Sequence, residues 1–235
     1  VASADRGAGQ GKGQVAAPVR GVLFDYGGVL TTPTRVSIEA WTRREGIDPQ
    51  SFSRVLKSWL SRSAPTGNPL HQLERGGLAA AEFNAVLTPW LRSVDGGPVA
   101  QADHLGGIFA TMEREPTMVA LVEQLAACGT RLALVSNSWG NHYPPEVREL
   151  FDVVVISGEV GLRKPQPEIY TLALERLGVS AHEAVLVDDG SPNIEAAELL
   201  GLTGILHTDP GSTVAALARL VPELQSPTLQ KEHTP

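Results

Sequence analysis

Apolar positions recur along this chain in two rhythms, and the change between them marks its organisation. Residues 22–24, 132–135, 153–156, 185–187 and 204–206 are short, nearly uninterrupted apolar runs. Strands covered on both faces read this way, because neither face needs polar positions for water. Residues 117–127 and 194–200 instead carry apolar side chains at helical spacing. Strands alternating with helices predict right-handed crossovers and an α/β fold, a Rossmann-like parallel sheet with helices on both faces.

The stretch 34–112 keeps the helical rhythm alone. Val36, Ile38 and Trp41, then Phe52, Val55, Leu56, Trp59 and Leu60, then Phe83, Val86, Leu87, Trp90 and Leu91 recur at roughly helical intervals. Turn-forming residues near 46–49, 63–69, 76–77 and 93–98 divide them. The expectation is a bundle of about four helices inserted after the first strand, leaving 19–33 and 113–222 as the Rossmann-like core. Its tryptophans are expected to fill the bundle's own interior rather than line a pocket. Residues 1–18, rich in Gly, Ala and Gln, read as a disordered tail, and 223–235 as a polar C-terminal tail.

Composition narrows the function classes. With 235 residues, 42% of them hydrophobic, the chain is long enough for one α/β core plus an insertion. A net charge of −7 without Lys and Arg clusters argues against a nucleic-acid partner. No run is long and apolar enough for a membrane span. The single cysteine, Cys128, rules out an internal disulfide and reads as a small buried apolar side chain on a helix, consistent with a cytoplasmic protein. A monomer or homodimer is expected.

The candidate chemistry sits where the apolar runs stop. The first run ends at Asp25, followed by Gly27 and Gly28, which release the backbone into a tight turn. The second ends at Ser136 and Asn137, the fourth at Asp188 and Asp189. In an open parallel sheet the carboxyl ends of the strands are where ligands bind. Asp25 and Asp189 would form an oxygen-rich site of the kind Mg²⁺ prefers, and Asp25 could attack phosphorus. Lys164, in GLRKPQP, would supply positive charge to the transferring group, and the Ser136 hydroxyl with nearby N–H groups would hold phosphate oxygens. Each residue also has a plainer role: Lys164 and Arg163 as solvated loop charges, Ser136, Asp188 or Asp189 as helix caps.

Four segments in this order resemble the haloacid dehalogenase superfamily of hydrolases, with an α-helical cap inserted after the first strand. They are FDYGGVL (24–30), LVSNS (134–138), GLRKPQPEIY (161–170) and VLVDDGSPNIEAAELLG (185–201). The resemblance is greatest to the phosphatase branch that includes the N-terminal domain of soluble epoxide hydrolase and sugar-1-phosphatases. It implies Asp25 as nucleophile, and Ser136, Asn137, Lys164 and Gly28 around the phosphate of a small phosphorylated metabolite. It also implies Mg²⁺ held by Asp25, Asp189, the Gly27 carbonyl and, in support, Asp188.

Gly27 departs from the family pattern, which has at that position a second Asp serving as general acid and base. Glycine cannot donate a proton, and His71 or Glu74 from the insertion are the candidate substitutes. General acid–base catalysis is typically worth ~10²- to 10⁴-fold, so its loss weakens an enzyme without abolishing it. A 2-haloacid dehalogenase, whose halide leaves without a proton, stays open beside the phosphatase, as does a non-catalytic binding or regulatory protein on the same fold.

Overall fold

The computed structural model describes residues 18–60, 67–140 and 142–225, so most of the 1–18 tail and residues 226–235 of the C-terminal tail lie outside the described residues. The chain begins with β1 (Gly21–Phe24) and leaves the sheet for five helices: α1 (Thr34–Glu45), α2 (Pro49–Leu60), α3 (Pro69–Glu74), α4 (Ala80–Leu87) and α5 (His104–Phe109). It returns through α6 (Pro116–Ala127), β2 (Arg131–Ser136), α7 (Pro145–Arg148), β3 (Val153–Ile156), α8 (Ser157–Val160) and α9 (Pro167–Leu177). Then come β4 (Ala184–Asp188), α10 (Ser191–Leu199), β5 (Thr203–Leu206) and α11 (Pro210–Leu220). The five strands form one parallel sheet in the order β3-β2-β1-β4-β5.

β1 is central and buried throughout, which explains its uninterrupted apolar run. Side chains alternate between faces along a strand. Val22 and Phe24 pack with Met118, Leu121, Val122 and Leu125 of α6 and Leu217 of α11. Leu23 points the other way, into Ile169, Tyr170, Ala173 and Leu177 of α9 and Ile194 and Ala197 of α10. The register sets Phe24 level with Leu134 on β2 and Val187 on β4, so the next residues, Asp25 and Asp188, emerge side by side.

The inserted helices have a core of their own, built on Trp41, Ile47, Phe52, Val55, Leu73, Phe83, Leu87 and Leu105. Trp41 meets Phe52 edge-on at 5.1 Å, and Trp59 meets Phe83 at 5.5 Å. Trp90 departs from the expectation: it is 61% exposed. α4 stops at Leu87, and Thr88–Trp90 forms a 3₁₀ turn containing Pro89. The tighter turn breaks the 3.6-residue register, so Leu91 takes the inward position and Trp90 faces outward. Cys128 caps the end of α6 and is half-buried rather than internal. Among the described residues no helix is long and apolar enough to cross a membrane.

Candidate active site

The site grows from the carboxyl end of the sheet. Asp25 continues the β1 ladder one residue beyond the strand, its N–H donating to Val187 O at 2.9 Å. Its Oδ1 accepts from the Tyr26 N–H at 2.7 Å and pairs with Lys164 Nζ at 2.8 Å. Lys164, 1% exposed, also donates to Asp188 Oδ2 at 2.6 Å. The other Asp188 oxygen accepts from Gly190 N and Asn193 Nδ2, both at 2.8 Å. Asp188 thus both anchors the lysine and caps the turn into α10.

Asn137 holds the lysine's own main chain. Its Nδ2 donates to Lys164 O (3.0 Å) while its Oδ1 accepts from Lys164 N (2.8 Å), and the Lys164–Pro165 peptide is cis. Gly28 has φ +81° and gives its N–H to Thr31 Oγ1 at 3.1 Å. A Cβ there would collide with Asp189 Oδ2, so the glycine lets the β1 loop close onto that carboxylate.

Burial pushes the Asp25 carboxyl up to about 7, with Asp188 and Asp189 adding to the effect and Lys164 opposing it. Burial works to lower the Lys164 ammonium, but Asp25 and Asp188 outweigh it and hold it above its ordinary value. Asp189 is likewise raised by burial and by Asp188. Oxygens of Asp25, Asp188 and Asp189 lie within 4.8 Å of one another. One buried ammonium faces these three carboxylates, an excess of negative charge that a hard divalent cation would offset. The donors fit such an ion. Asp189 and the second oxygen of Asp25 make no side-chain bond among the described residues, and the Gly27 carbonyl accepts none there either.

Above this polar floor lies a cavity of about 290 Å³ reaching Asp25, Gly27, Ser136, Asn137, Lys164 and Asp189. Its far wall is the apolar face of the inserted helices, with Ile38, Phe52, Leu56, Phe83 and Leu105. Tyr26 stacks on Phe109 at 6.1 Å and meets Tyr143 edge-on at 4.4 Å. Burial raises the Tyr143 hydroxyl to about 12, opposed by the Ser136 and Ser138 hydroxyls beside it.

At the rim, Arg163 Nε donates to Glu74 Oε2 at 2.6 Å, joining the core loop to α3. Gly76, φ +72°, sits so close to the Gly158 carbonyl that no side chain would fit, and this contact brings the end of α3 down onto the core. Burial raises the Glu74 carboxyl despite Arg163 and Lys164. Glu74 lines the cavity; His71, one turn earlier, does not, and burial together with Arg163 and Arg75 lowers its imidazole.

The structure therefore brings Asp25, Gly27, Ser136, Asn137, Lys164 and Asp189 to one cavity, with Asp188 behind the lysine. Three expectations change in detail. The Asn137 side chain is engaged with Lys164, and the Gly28 N–H with Thr31, so neither is free to hold a phosphate oxygen. Arg163 is an ion-pair partner with 13% of its side chain exposed, not a solvated loop charge. Tyr143, Trp139 and the apolar wall carried no signal in the sequence beyond their hydrophobicity.

A five-stranded parallel sheet with an acidic cluster at its carboxyl edge and helices inserted after β1 defines a hydrolase of the haloacid dehalogenase type. The chain belongs to that family: the haloacid dehalogenase-like hydrolase pattern matches residues 19–201. It is 38% identical over 200 residues to a phosphorylated carbohydrates phosphatase of Thermotoga maritima, covering 80% of this chain and 85% of that one. It is 24% identical over 218 residues to rat bifunctional epoxide hydrolase 2, covering 86% of this chain but 39% of that protein. The chain thus spans less than half the length of that relative. A Bacteroides thetaiotaomicron enzyme of the family, solved with magnesium and inorganic phosphate, shares the fold at a TM-score of 0.57 and 20% identity, covering 80% and 93% of the two chains.

Proposed function

We propose that this protein is a Mg²⁺-dependent phosphomonoesterase that works through an aspartyl-phosphate at Asp25. The observation that carries the reading is the Asp25–Lys164–Asp188 chain of contacts facing an acidic cluster in one cavity. The phosphatases among its relatives support it.

Lys164 and the Ser136 hydroxyl hold the phosphoryl oxygens, drawing negative charge off phosphorus. Asn137 fixes the lysine's backbone, so the ammonium is aimed before substrate arrives. One carboxylate oxygen of Asp25 attacks phosphorus as the bond to the alcohol oxygen breaks, giving the aspartyl-phosphate and an alcohol that takes its proton from solvent. Water then attacks the same phosphorus, releasing inorganic phosphate and restoring Asp25. Asp25, Asp189 and the Gly27 carbonyl would hold Mg²⁺, with Asp188 in support; the ion offsets repulsion between the carboxylate and the phosphate.

The test is phosphate and halide release from aryl phosphates and 2-haloacids, each with Mg²⁺ or with a chelator. Mg²⁺-dependent phosphate release is expected. Halide release that the chelator leaves unchanged would identify a dehalogenase instead, and no release of either product would favour a binding protein.

A further inference from the structure

Two hollows share a wall of the inserted helices. The active-site cavity and a second groove of about 670 Å³ between α1 and α2 share Ile38, Phe52, Leu56 and Leu60 as common walls. The seam between these helices therefore separates Asp25 from the outer groove by aliphatic and aromatic side chains alone. Leu60, at the seam's end, is 55% exposed although it belongs to this apolar row.

The chemistry of the walls selects against a polyol. Among the described residues, the inserted helices supply only Thr34 and Glu74 as polar side chains to the active-site cavity, and Glu74 is engaged by Arg163. A sugar would bring several hydroxyls to a wall that, among the described residues, offers only the Thr34 hydroxyl beside the engaged Glu74. Each hydroxyl stripped of water without a replacement weakens binding about fivefold or more. An apolar chain meets the opposite situation, gaining about two- to fourfold for each buried methylene.

We infer that the substrate is a phosphate monoester of an extended apolar alcohol or phenol, whose hydrocarbon runs from Asp25 along Phe52 and Leu56 into the groove between α1 and α2. This rests on the phosphatase reading above. The polar end of the outer groove, with Arg35, Glu39 and Lys57, lies beyond the apolar seam and leaves the far end of the chain near solvent.

The test is a series of phenyl, 4-ethylphenyl, 4-butylphenyl and 4-hexylphenyl phosphates, whose leaving groups are nearly equal in acidity. Glucose 1-phosphate serves as the polar comparator. kcat/KM should rise with chain length, roughly 10²-fold or more from phenyl to hexylphenyl. In Leu56→Trp, which narrows the seam but stays apolar, the hexylphenyl ester should lose at least tenfold relative to phenyl phosphate. A flat series, glucose 1-phosphate as the better substrate, or a chain-length dependence unaltered in Leu56→Trp would each overturn the inference while leaving the phosphatase reading intact. Absence of Mg²⁺-dependent phosphate release from every ester would overturn both.

Discussion

The two walls of the active-site cavity are built on opposite principles. On the core side the charged groups are interlocked: Lys164 has two carboxylate partners, Asp188 three contacts through its two oxygens counting that lysine, and Asn137 two bonds to one backbone unit. On the side of the inserted helices the wall is, among the described residues, apolar apart from Thr34 and the Glu74–Arg163 pair at its rim. Directional bonds fix a reacting centre to fractions of an ångström, and the strand ends supply the rigid frame for them. Apolar contact has no direction, so the facing wall can accept different hydrocarbon shapes without disturbing the chemistry.

Substitutions on the rigid side should cost the most. Asp25→Asn keeps the side-chain volume and an oxygen for Tyr26 N–H and Lys164, but removes the nucleophile. Turnover of an aryl phosphate should fall by about 10⁴-fold or more, with a melting temperature close to that of the unaltered protein. Persistent phosphate release from this variant, in a preparation free of native enzyme, would remove Asp25 from the mechanism. Lys164→Met leaves Asp25 and Asp188 buried without their cation. A loss of about 3–5 kcal/mol in urea unfolding is expected, and a loss under 1 kcal/mol would mean that water or an ion already screens the pair.

This division also governs what could be read from the sequence. The sheet was legible because β1 and β4 are buried on both faces and carry unbroken apolar runs, and the residues closing those runs became the reacting centre. Segments such as GLRKPQP put Lys164 within a recognisable pattern. The Arg163–Glu74 pair was not legible, since its partners lie 89 positions apart and each is ordinary on a surface. Gly76 read simply as a helix break, whereas its close approach to Gly158 explains why a glycine stands there. Trp90 escapes the helical periodicity because it closes a 3₁₀ turn, for which Pro89 is the signal in the sequence.

Gly27 tests the rigid side more gently. Its φ lies outside the left-handed region, and the nearest neighbour of a Cβ there would be Thr34 Oγ1 at an ordinary 3.5 Å. Gly27→Asp should therefore fold. In the native protein no side chain at position 27 protonates the departing oxygen, so single-turnover rates should fall steeply as the leaving group becomes more basic. The Asp variant should accelerate simple alkyl phosphates by about 10²-fold and flatten that dependence. An already shallow slope in the native protein would point to another donor. Glu74→Gln is then the first variant to make, because Glu74 reaches the cavity and His71 does not.

The smallest expected effect lies where the two walls join. Arg163→Met removes the cation from Glu74, whose side chain is 14% exposed. The loss should be about 1–3 kcal/mol, between that of an exposed pair and that of a fully buried one. Its pH dependence has a definite sign. Burial already raises the Glu74 carboxyl, and Arg163 is the first influence opposing that rise, so the substitution raises it further. A carboxyl raised on folding binds its proton more tightly in the folded chain than in the unfolded one. Its penalty is absent below the unfolded value, grows as pH rises toward the folded value, and is complete above it. The difference in unfolding free energy between native protein and Arg163→Met should therefore be larger at pH 8 than at pH 5. In a Glu74→Gln background it should shrink and lose that dependence. Equal differences at both pH values would mean that Glu74 is solvated and that the helices are held to the core by apolar packing alone.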